Sequence, residues 1–500
     1  MTILRPAILL LPLLFASSVA GAPMKARPNL VVIMADDLDP ASLDLMVRSG
    51  LMPHFESLFV KGGVKFPNCF ASNPICAPSR ATFLTGRYSH NHGVRHNGSV
   101  NGGVLGMDHT STIATWLQRG GYRTGHAGKF LNGYGTSTAR TWVPPGWDHW
   151  QGLLDLSTYS VYDYTINDNG RLVTYGKAES DYQTDVLARR PARFLDVSNA
   201  VGDAKPFFLA VTPLAPHVEV TPETLLTDVW SWTIRPAPRH VGSTDMFPLP
   251  RPASFNEADV SDKPQWVRNR PLLTAENIAA LTRKYRERLA SLRAVDDLIG
   301  TVVDALRRTG EFDRTVLMFT ADNGYLYGEH RLPEKMYPYD ESLRIPLYIR
   351  APGVSGGTER RATVLNNDLA PTLAALGQVL PGHLVDGRSL VPLLAGQDPG
   401  PWRKRFLAEH WTVSSSVKLE SPTYSAVRTI PEVLVLPDRL YVEYRNGEWG
   451  AMEHYDRTID PFELESRHAD PARAWERDIL KAQLAKLRGT SGPWVRAAEE

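Results

Sequence analysis

The chemistry-bearing residues of this chain cluster most densely at Cys76-Ala77-Pro78-Ser79-Arg80-Ala81-Thr82-Phe83-Leu84-Thr85-Gly86-Arg87. Pro78 near the start of a short helical pattern fits the first-turn preference for proline. A helix beginning there aims backbone N–H groups and a positive dipole at an anion. Arg80 adds a fork-shaped cation suited to a tetrahedral oxyanion. These surroundings predict a low-pKa thiolate at Cys76.

A second set of polar residues sits where apolar runs end. Asn29 to Ala35 (NLVVIMA) runs into Asp36-Asp37, and Thr315 to Thr320 (TVLMFT) runs through Ala321 into Asp322-Asn323-Gly324. Phe207 to Thr212 (FFLAVT) leads to His217 through a proline-containing loop, and the weaker run Tyr122 to Ala127 leads to Lys129. Three carboxylates and an amide are hard oxygen donors, suited to calcium or magnesium rather than zinc. Without a cation, such carboxylates repel and one takes a proton. Each acidic pair, taken singly, also reads as a strand-end turn former.

The apolar runs read as buried strands, with Ile345 to Arg350 as another, and helical patterns lie between them. That alternation predicts an α/β fold with a mostly parallel sheet sandwiched by helices. In open sheets of this kind ligands bind beyond the carboxyl ends of the strands, so these residues should meet at one edge. Asp39-Pro40 starts one helix, and Ser111 to Gln118 forms another, stopped by Gly120-Gly121. From about Ala275 to Arg308 apolar residues step by three or four, predicting one buried stripe with the charged residues on a solvated face. Residues 218–271 are rich in Pro and Trp without periodicity, either a functional loop or a surface excursion. Beyond about residue 400, Arg439 to Tyr444 and Glu448 to Met452 read as strands around the turn Asn446-Gly447, and a helix from about Pro471 to Leu487 follows. This predicts a catalytic domain over 23–400 and a small α+β subdomain over 401–500.

Composition narrows the class. The 500 residues are 43% hydrophobic and 22% charged, with a formal net charge of +1. That balance is globular and carries no nucleic-acid footprint. Arg5, the apolar stretch Ala7 to Ala16 and the small residues Ser17 to Ala22 read as a cleaved signal peptide over 1–22. No later run is long enough to span a bilayer, so no stable membrane insertion is expected. The route is export, to the periplasm, a lysosome or the exterior. The two cysteines, Cys69 and Cys76, leave one bridge or two thiols open on count alone.

Together these residues resemble the type I, formylglycine-dependent sulfatase family. Its hallmark Cys-x-Pro-Ser-Arg followed by Leu-Thr-Gly-Arg is matched at 76–80 and 84–87. The resemblance continues through Asp36-Asp37, Gly128-Lys129, Pro216-His217, Asp322-Asn323-Gly324, Lys335, Asp368 to Leu373 (DLAPTL) and Glu453 to Leu464. It implies an alkaline-phosphatase-like fold. It further implies that a formylglycine-generating enzyme acting on residues 76–87 oxidises Cys76 to formylglycine, which makes a 69–76 disulfide unlikely. The hydrated aldehyde attacks sulfur with one hydroxyl, activated on the calcium, and expels the alcohol. The other hydroxyl then loses its proton, and sulfate leaves as the aldehyde reforms, splitting one hard step into two. By matched position, Asp36, Asp37, Asp322, Asn323 and residue 76 bind Ca2+ and Arg80 steadies the diol. Lys129 and Lys335 hold sulfate oxygens, and His217, with Lys335, protonates the leaving oxygen.

One departure refines the resemblance. Many arylsulfatases carry His two residues beyond the first lysine, where this chain has Leu131. Gly-Lys-Phe-Leu-Asn-Gly-Tyr-Gly at 128–135 and Val-Pro-Pro-Gly-Trp at 143–147 look like the N-acetylglucosamine-6-sulfatase and endosulfatase branch. That implies a sulfated carbohydrate or smaller sulfate ester as substrate, with Asn132 contacting sulfate or sugar. His90, His92 and Asn97 either line the pocket or sit in exposed loops. The rivals are a phosphodiester or phosphonate monoester hydrolase on the same scaffold, an arylsulfatase of small aryl sulfates, and a catalytically dead glycan binder. Mass spectrometry of the tryptic peptide containing residue 76, from protein made in its own host, should find the aldehyde; an unmodified thiol there would sink the mechanism.

Overall fold

A computed structural model of the chain describes residues 27–98, 100–200, 205–397, 402–412, 422–445 and 451–500. The signal peptide read over 1–22 and the turn Asn446-Gly447 lie outside the described residues. No helix among the described residues is long and apolar enough to cross a membrane.

The apolar runs form the middle of a ten-stranded sheet. Its strands are Asn29–Ala35 (β1), Val64–Lys65 (β2), Arg123–Gly128 (β3), His149–Leu153 (β4), Thr165–Asp168 (β5), Arg171–Thr174 (β6), Phe207–Thr212 (β7), Thr315–Ala321 (β8), Leu347–Arg350 (β9) and Thr358–Glu359 (β10). They lie in the order β10-β2-β9-β8-β1-β7-β3-β4-β5-β6. From β8 to β4 the pairing is parallel throughout. Every residue of β1, β7 and β8 is buried, as continuous Val/Ile/Leu/Phe runs require when both faces are covered. Beyond this block, β9, β5 and β6 run antiparallel, so the sheet is mixed. The Ile345 to Arg350 run thus becomes an antiparallel strand starting at Leu347, and the weaker 122–127 run shifts by one residue.

Two groups of helices pack with the sheet. Ala275–Arg308 lies along Gln183–Ala200, and Cys76–Thr85, Ile113–Arg119 and Leu369–Leu376 pack on one another. Thr112, whose hydroxyl caps Thr115 N–H, starts the Ile113 helix two residues later than its apolar pattern. Thr274 and Asn277 cap the long helix, and its apolar stripe is buried as expected. Its charged residues depart from a purely solvated face: Lys284, Arg288 and Asp296 are buried. Each serves a backbone group. Asp296 accepts from His54 and Phe55 N–H, Lys284 donates to the Val229 carbonyl at 2.7 Å, and Arg288 donates to the Pro216 carbonyl at 2.8 Å. Such orphaned backbone groups must be satisfied once buried.

The C-terminal residues build a separate four-stranded antiparallel sheet, Arg405–His410 (β11), Tyr424–Thr429 (β12), Arg439–Tyr444 (β13) and Met452–Asp456 (β14). Strand β14 thus begins where the expected Glu448 to Met452 strand ends. Ala474–Arg488 covers this sheet through Leu480, Leu484 and Leu487, after a single 3-10 turn at Pro471–Arg473. Arg403 ties the two units. It donates both terminal nitrogens to Asp368 at 3.0 Å and its Nε lies 3.0 Å from Glu499, all three side chains being fully buried. Removing one partner of such a buried cluster leaves an uncompensated charge. Arg403→Met should therefore cost about 3–5 kcal/mol in urea denaturation; a loss within error would show the cluster to be dispensable.

Candidate active site

Strands β8, β1, β7 and β3 are neighbours, and their carboxyl ends carry the expected residues to one place. Asp36 and Asp37 follow β1, Asp322 and Asn323 follow β8, Lys129 follows β3, and His217 follows β7. At the end of β3 the chain bends through Gly128 at φ +125°, where a Cβ would sit 2.2 Å from the Thr212 carbonyl oxygen. Only glycine allows that approach, and it turns Lys129 inward. Cys76 opens the helix Cys76–Thr85, every residue of which is buried.

The groups are interlocked. Lys129 donates to Asp36, and Lys335 donates to Asp37, both in very short contacts. Arg80 Nε donates to Asp322 Oδ2 at 2.9 Å, and its Nη1 donates to the Lys129 carbonyl at 2.8 Å. Ser79 donates to the Asp322 carbonyl. Asn323 Nδ2 donates to Asp37 Oδ1 at 2.8 Å, and Asp37 N–H to Asp322 Oδ1 at 3.0 Å. Lys335 Nζ stands 3.2 Å and Asp36 Oδ1 3.7 Å from Cys76 Sγ. His217 Nε2 lies 3.5 Å from Asp37 Oδ2. All of the expected catalytic and metal-site residues therefore meet, with Asn132 at the rim. There Asn132 donates to the Tyr159 hydroxyl at 2.6 Å.

Charge is balanced at close range. Burial pushes Asp36 up, but Lys129, His217 and Arg80 hold it down to about 2. Burial likewise raises Asp37, and Lys335 with His217 brings it to about 2. Burial drives His217 down to about 4, so its ring is neutral near pH 7. His217 Nδ1 donates to the Val218 carbonyl at 2.6 Å, which leaves the lone pair on Nε2. The expected low-pKa thiolate at Cys76 is not found. Burial, with Asp36 and Asp322 adding to it, outweighs Lys129 and Lys335 and pushes the thiol up to about 11. Cys69 and Cys76 are separate, buried thiols.

The donor set fits a hard divalent cation. Asp37 Oδ2 and Asn323 Oδ1 are buried oxygens without a hydrogen-bond partner. One ligand atom each from Asp36, Asp37, Cys76 and His217 lies within a 4.8 Å cluster. Oxygens left in that state call for a cation or a donor. Beside them opens a cavity of about 360 Å3, lined by Cys76, Asn97, Asn132, Tyr159, His217, Val220, Trp232 and Lys335.

Several contributors were not legible from spacing. Tyr159 meets the His217 ring at a tilt of 48°, 5.2 Å between centroids, and lies under the Lys129 ammonium at 4.7 Å. Trp232 and Val220 show the Pro/Trp-rich 218–271 segment to be a pocket wall. Arg288 reaches the Asp37 carbonyl. Of the three loop residues left open, Asn97 lines the cavity and accepts from Ala77 N–H at 2.9 Å. His90 instead binds Glu409 at 3.0 Å, and His92 meets the Thr82 hydroxyl at 3.0 Å.

Fold and site define a hydrolase of anionic esters, with acidic, lysine and imidazole groups gathered at a sheet edge beside a buried Cys76. The chain belongs to the sulfatase family, whose profile matches residues 28–379. A second profile, N-sulphoglucosamine sulphohydrolase, C-terminal, matches residues 328–490. The chain is 34% identical to an arylsulfatase of Volvox carteri over 98% of its own length and 80% of the relative's. It is 32% identical to the N-acetylglucosamine-6-sulfatase of Homo sapiens, covering 98% and 90%. Among solved structures, one in complex with its substrate D-glucosamine-2-N,6-O-disulfate superposes with a TM-score of 0.76 at 24% identity, covering 93% and 98% of the two chains. The phosphonate monoester hydrolase of Agrobacterium radiobacter shares the fold at a TM-score of 0.70 and 23% identity, covering 93% and 96%. The chain is a sulfuric ester hydrolase.

Stripping divalent cations should lower kcat by at least about 10³-fold, the several kcal/mol that a bound cation supplies. Asp37→Asn and Asp322→Ala should retain less cation after dialysis, measured by plasma mass spectrometry. Full turnover of the stripped protein would exclude a catalytic cation.

Proposed function

We propose that the enzyme removes the 6-O-sulfate of an N-acetylglucosamine-type sugar, using formylglycine formed at Cys76 by a formylglycine-generating enzyme and a Ca2+ ion held by Asp36, Asp37, Asp322, Asn323 and residue 76. The observation that carries this reading is the pair of unpartnered oxygens, Asp37 Oδ2 and Asn323 Oδ1, beside Cys76 and two buried lysines. A hard cation there supplies Lewis-acid polarisation and offsets the carboxylates' charge. A hydrated aldehyde at residue 76 supplies a nucleophile that regenerates itself, which an inert buried thiol cannot do.

The chain's own groups divide the remaining work. Lys129 and Lys335, both pushed above their ordinary range by Asp36 and Asp37 despite burial, stay charged and grip sulfate oxygens. Arg80 steadies the hydrate and holds Asp322. His217 donates from Nε2 only as the imidazolium, because Nδ1–H is committed to Val218. Lys335 therefore shares delivery of the proton to the departing sugar oxygen. Asn132, with its Oδ1 unpartnered, meets sulfate or sugar at the rim. The apolar wall of Val220 and Trp232 suits the face of a sugar ring. The relatives named N-acetylglucosamine-6-sulfatase and the neighbour bound to a glucosamine disulfate support this substrate class. Export by the 1–22 segment accords with a relative named an extracellular sulfatase.

Sulfate release from N-acetylglucosamine 6-sulfate and 4-nitrophenyl sulfate, and alcohol release from a phosphodiester, assayed in parallel, test the assignment. The sugar sulfate should show the highest kcat/KM; preference for the aryl sulfate or the phosphodiester would overturn it. His217→Gln should lose about 10²–10⁴-fold on the sugar and far less on 4-nitrophenyl sulfate, whose leaving group needs no acid. Equal losses on both would remove His217 from the proton-donor role.

A further inference from the structure

Outside the active site, a second group of metal-type ligands lies where the segment carrying Lys335 meets the C-terminal unit. One ligand atom each from His330, Glu341 and Glu463 falls within 4.8 Å of the others. The three come from separate places: the loop 328–332, the short helix Asp340–Leu343, and the segment after β14. His330 and Glu463 are 0% and 1% exposed.

We infer that His330, Glu341 and Glu463 form a structural site for a zinc-class divalent cation, distinct from the oxygen cage at Asp36 and Asp322. His330 is the observation that points to a ligand. Its Nε2 is buried and makes no hydrogen bond among the described residues, as does Glu341 Oε2. Its Nδ1 faces Glu257 Oε2 at 2.7 Å. That carboxylate fixes the proton on Nδ1 and leaves the Nε2 lone pair as the ring's free ligand position. A carboxylate behind the ring is the usual support of a metal-binding imidazole. Tyr339 stacks on the ring at 4.1 Å, and the His330 backbone is held at φ +54° with its N–H donating to the Ser254 carbonyl at 2.7 Å. A buried imidazole nitrogen and a buried carboxylate oxygen, both without a hydrogen bond among the described residues, are costly unless something satisfies them.

The surrounding charges agree. Lys263 stands 3.4 Å from Glu257, and Arg457 pairs with one oxygen of Glu463, whose other oxygen accepts from Asp340 N–H at 3.3 Å. Glu341 accepts a long 3.4 Å contact from Ser254 and forms no direct ion pair among the described residues, with Arg457 acting on it only at longer range. A nitrogen and two carboxylates suit a borderline first-row ion better than calcium, which takes six to eight oxygens. On its other side Glu341 lines a cavity of about 660 Å3, which His330 and Glu463 do not line. A cation bound there would pin the His330 loop, five residues from Lys335, to the C-terminal unit.

The full-length protein, loaded with Ca2+, should bind one further equivalent of Zn2+ in isothermal titration. His330→Gln should abolish that equivalent, Asp37→Asn should keep it, and Glu257→Gln should weaken it about 10–100-fold. Zinc-edge anomalous scattering from wild-type crystals should show a peak between His330 Nε2, Glu341 and Glu463. This measurement needs no variant, and Glu341→Gln replaces His330→Gln if the latter does not fold. Absence of the peak, or loss of the zinc equivalent in Asp37→Asn but not in the His330 or Glu341 variant, would overturn the assignment.

Discussion

The site depends on repulsion between Asp36, Asp37 and Asp322, which the fold forces together away from water. Two neighbouring strand ends deliver them, because parallel strands finish at the same edge. In a buried setting, carboxylates this close cannot all stay ionised unaided. Lys129, Lys335 and Arg80 supply the compensation. In the function proposed above, the two lysines also grip the sulfate, so that electrostatic repair of the protein and recognition of the substrate would be one arrangement. Two oxygens remain unsatisfied even so, and this residue of unmet demand defines the place for a cation.

The same constraint explains the state of Cys76. Lysines and a helix start surround it, conditions that normally favour a thiolate. Total burial beside Asp36 and Asp322 reverses the outcome. The thiol is thereby a poor nucleophile as it stands, which supports the proposal that residue 76 acts only after modification. His217 follows a related logic. Its neutrality comes from burial, and its Nδ1 anchor to Val218 restricts what Nε2 can do.

Longer-range organisation serves the same centre. Arg288, far along the chain from the segments it serves, satisfies the carbonyls of Asp37 and Pro216. The 328–343 stretch carries Lys335 between a hairpin and the C-terminal unit. Glu257 and Glu463, from two other parts of the chain, help to set its position. The C-terminal unit is therefore part of what locates Lys335, with Arg403 and Asp368 joining the units elsewhere.

By itself the sequence determined the strand runs, the ends at which Asp36, Asp322, His217 and Lys129 emerge, and the 76–87 segment. These are local facts: apolar runs mark strands, and a strand's end names the next residue. Tertiary structure alone decided what depends on contacts distant along the chain. Arg288 and Lys284 read as solvated charges because helix periodicity says nothing about a backbone carbonyl waiting opposite. Tyr159, Trp232 and the His330–Glu257 pair carry no motif, and they acquire roles only by meeting partners 58, 14 and 73 residues away along the chain. The Cys76 thiol was misread for the same reason: burial is a property of the whole fold, and here it outweighs every neighbour that the local sequence names.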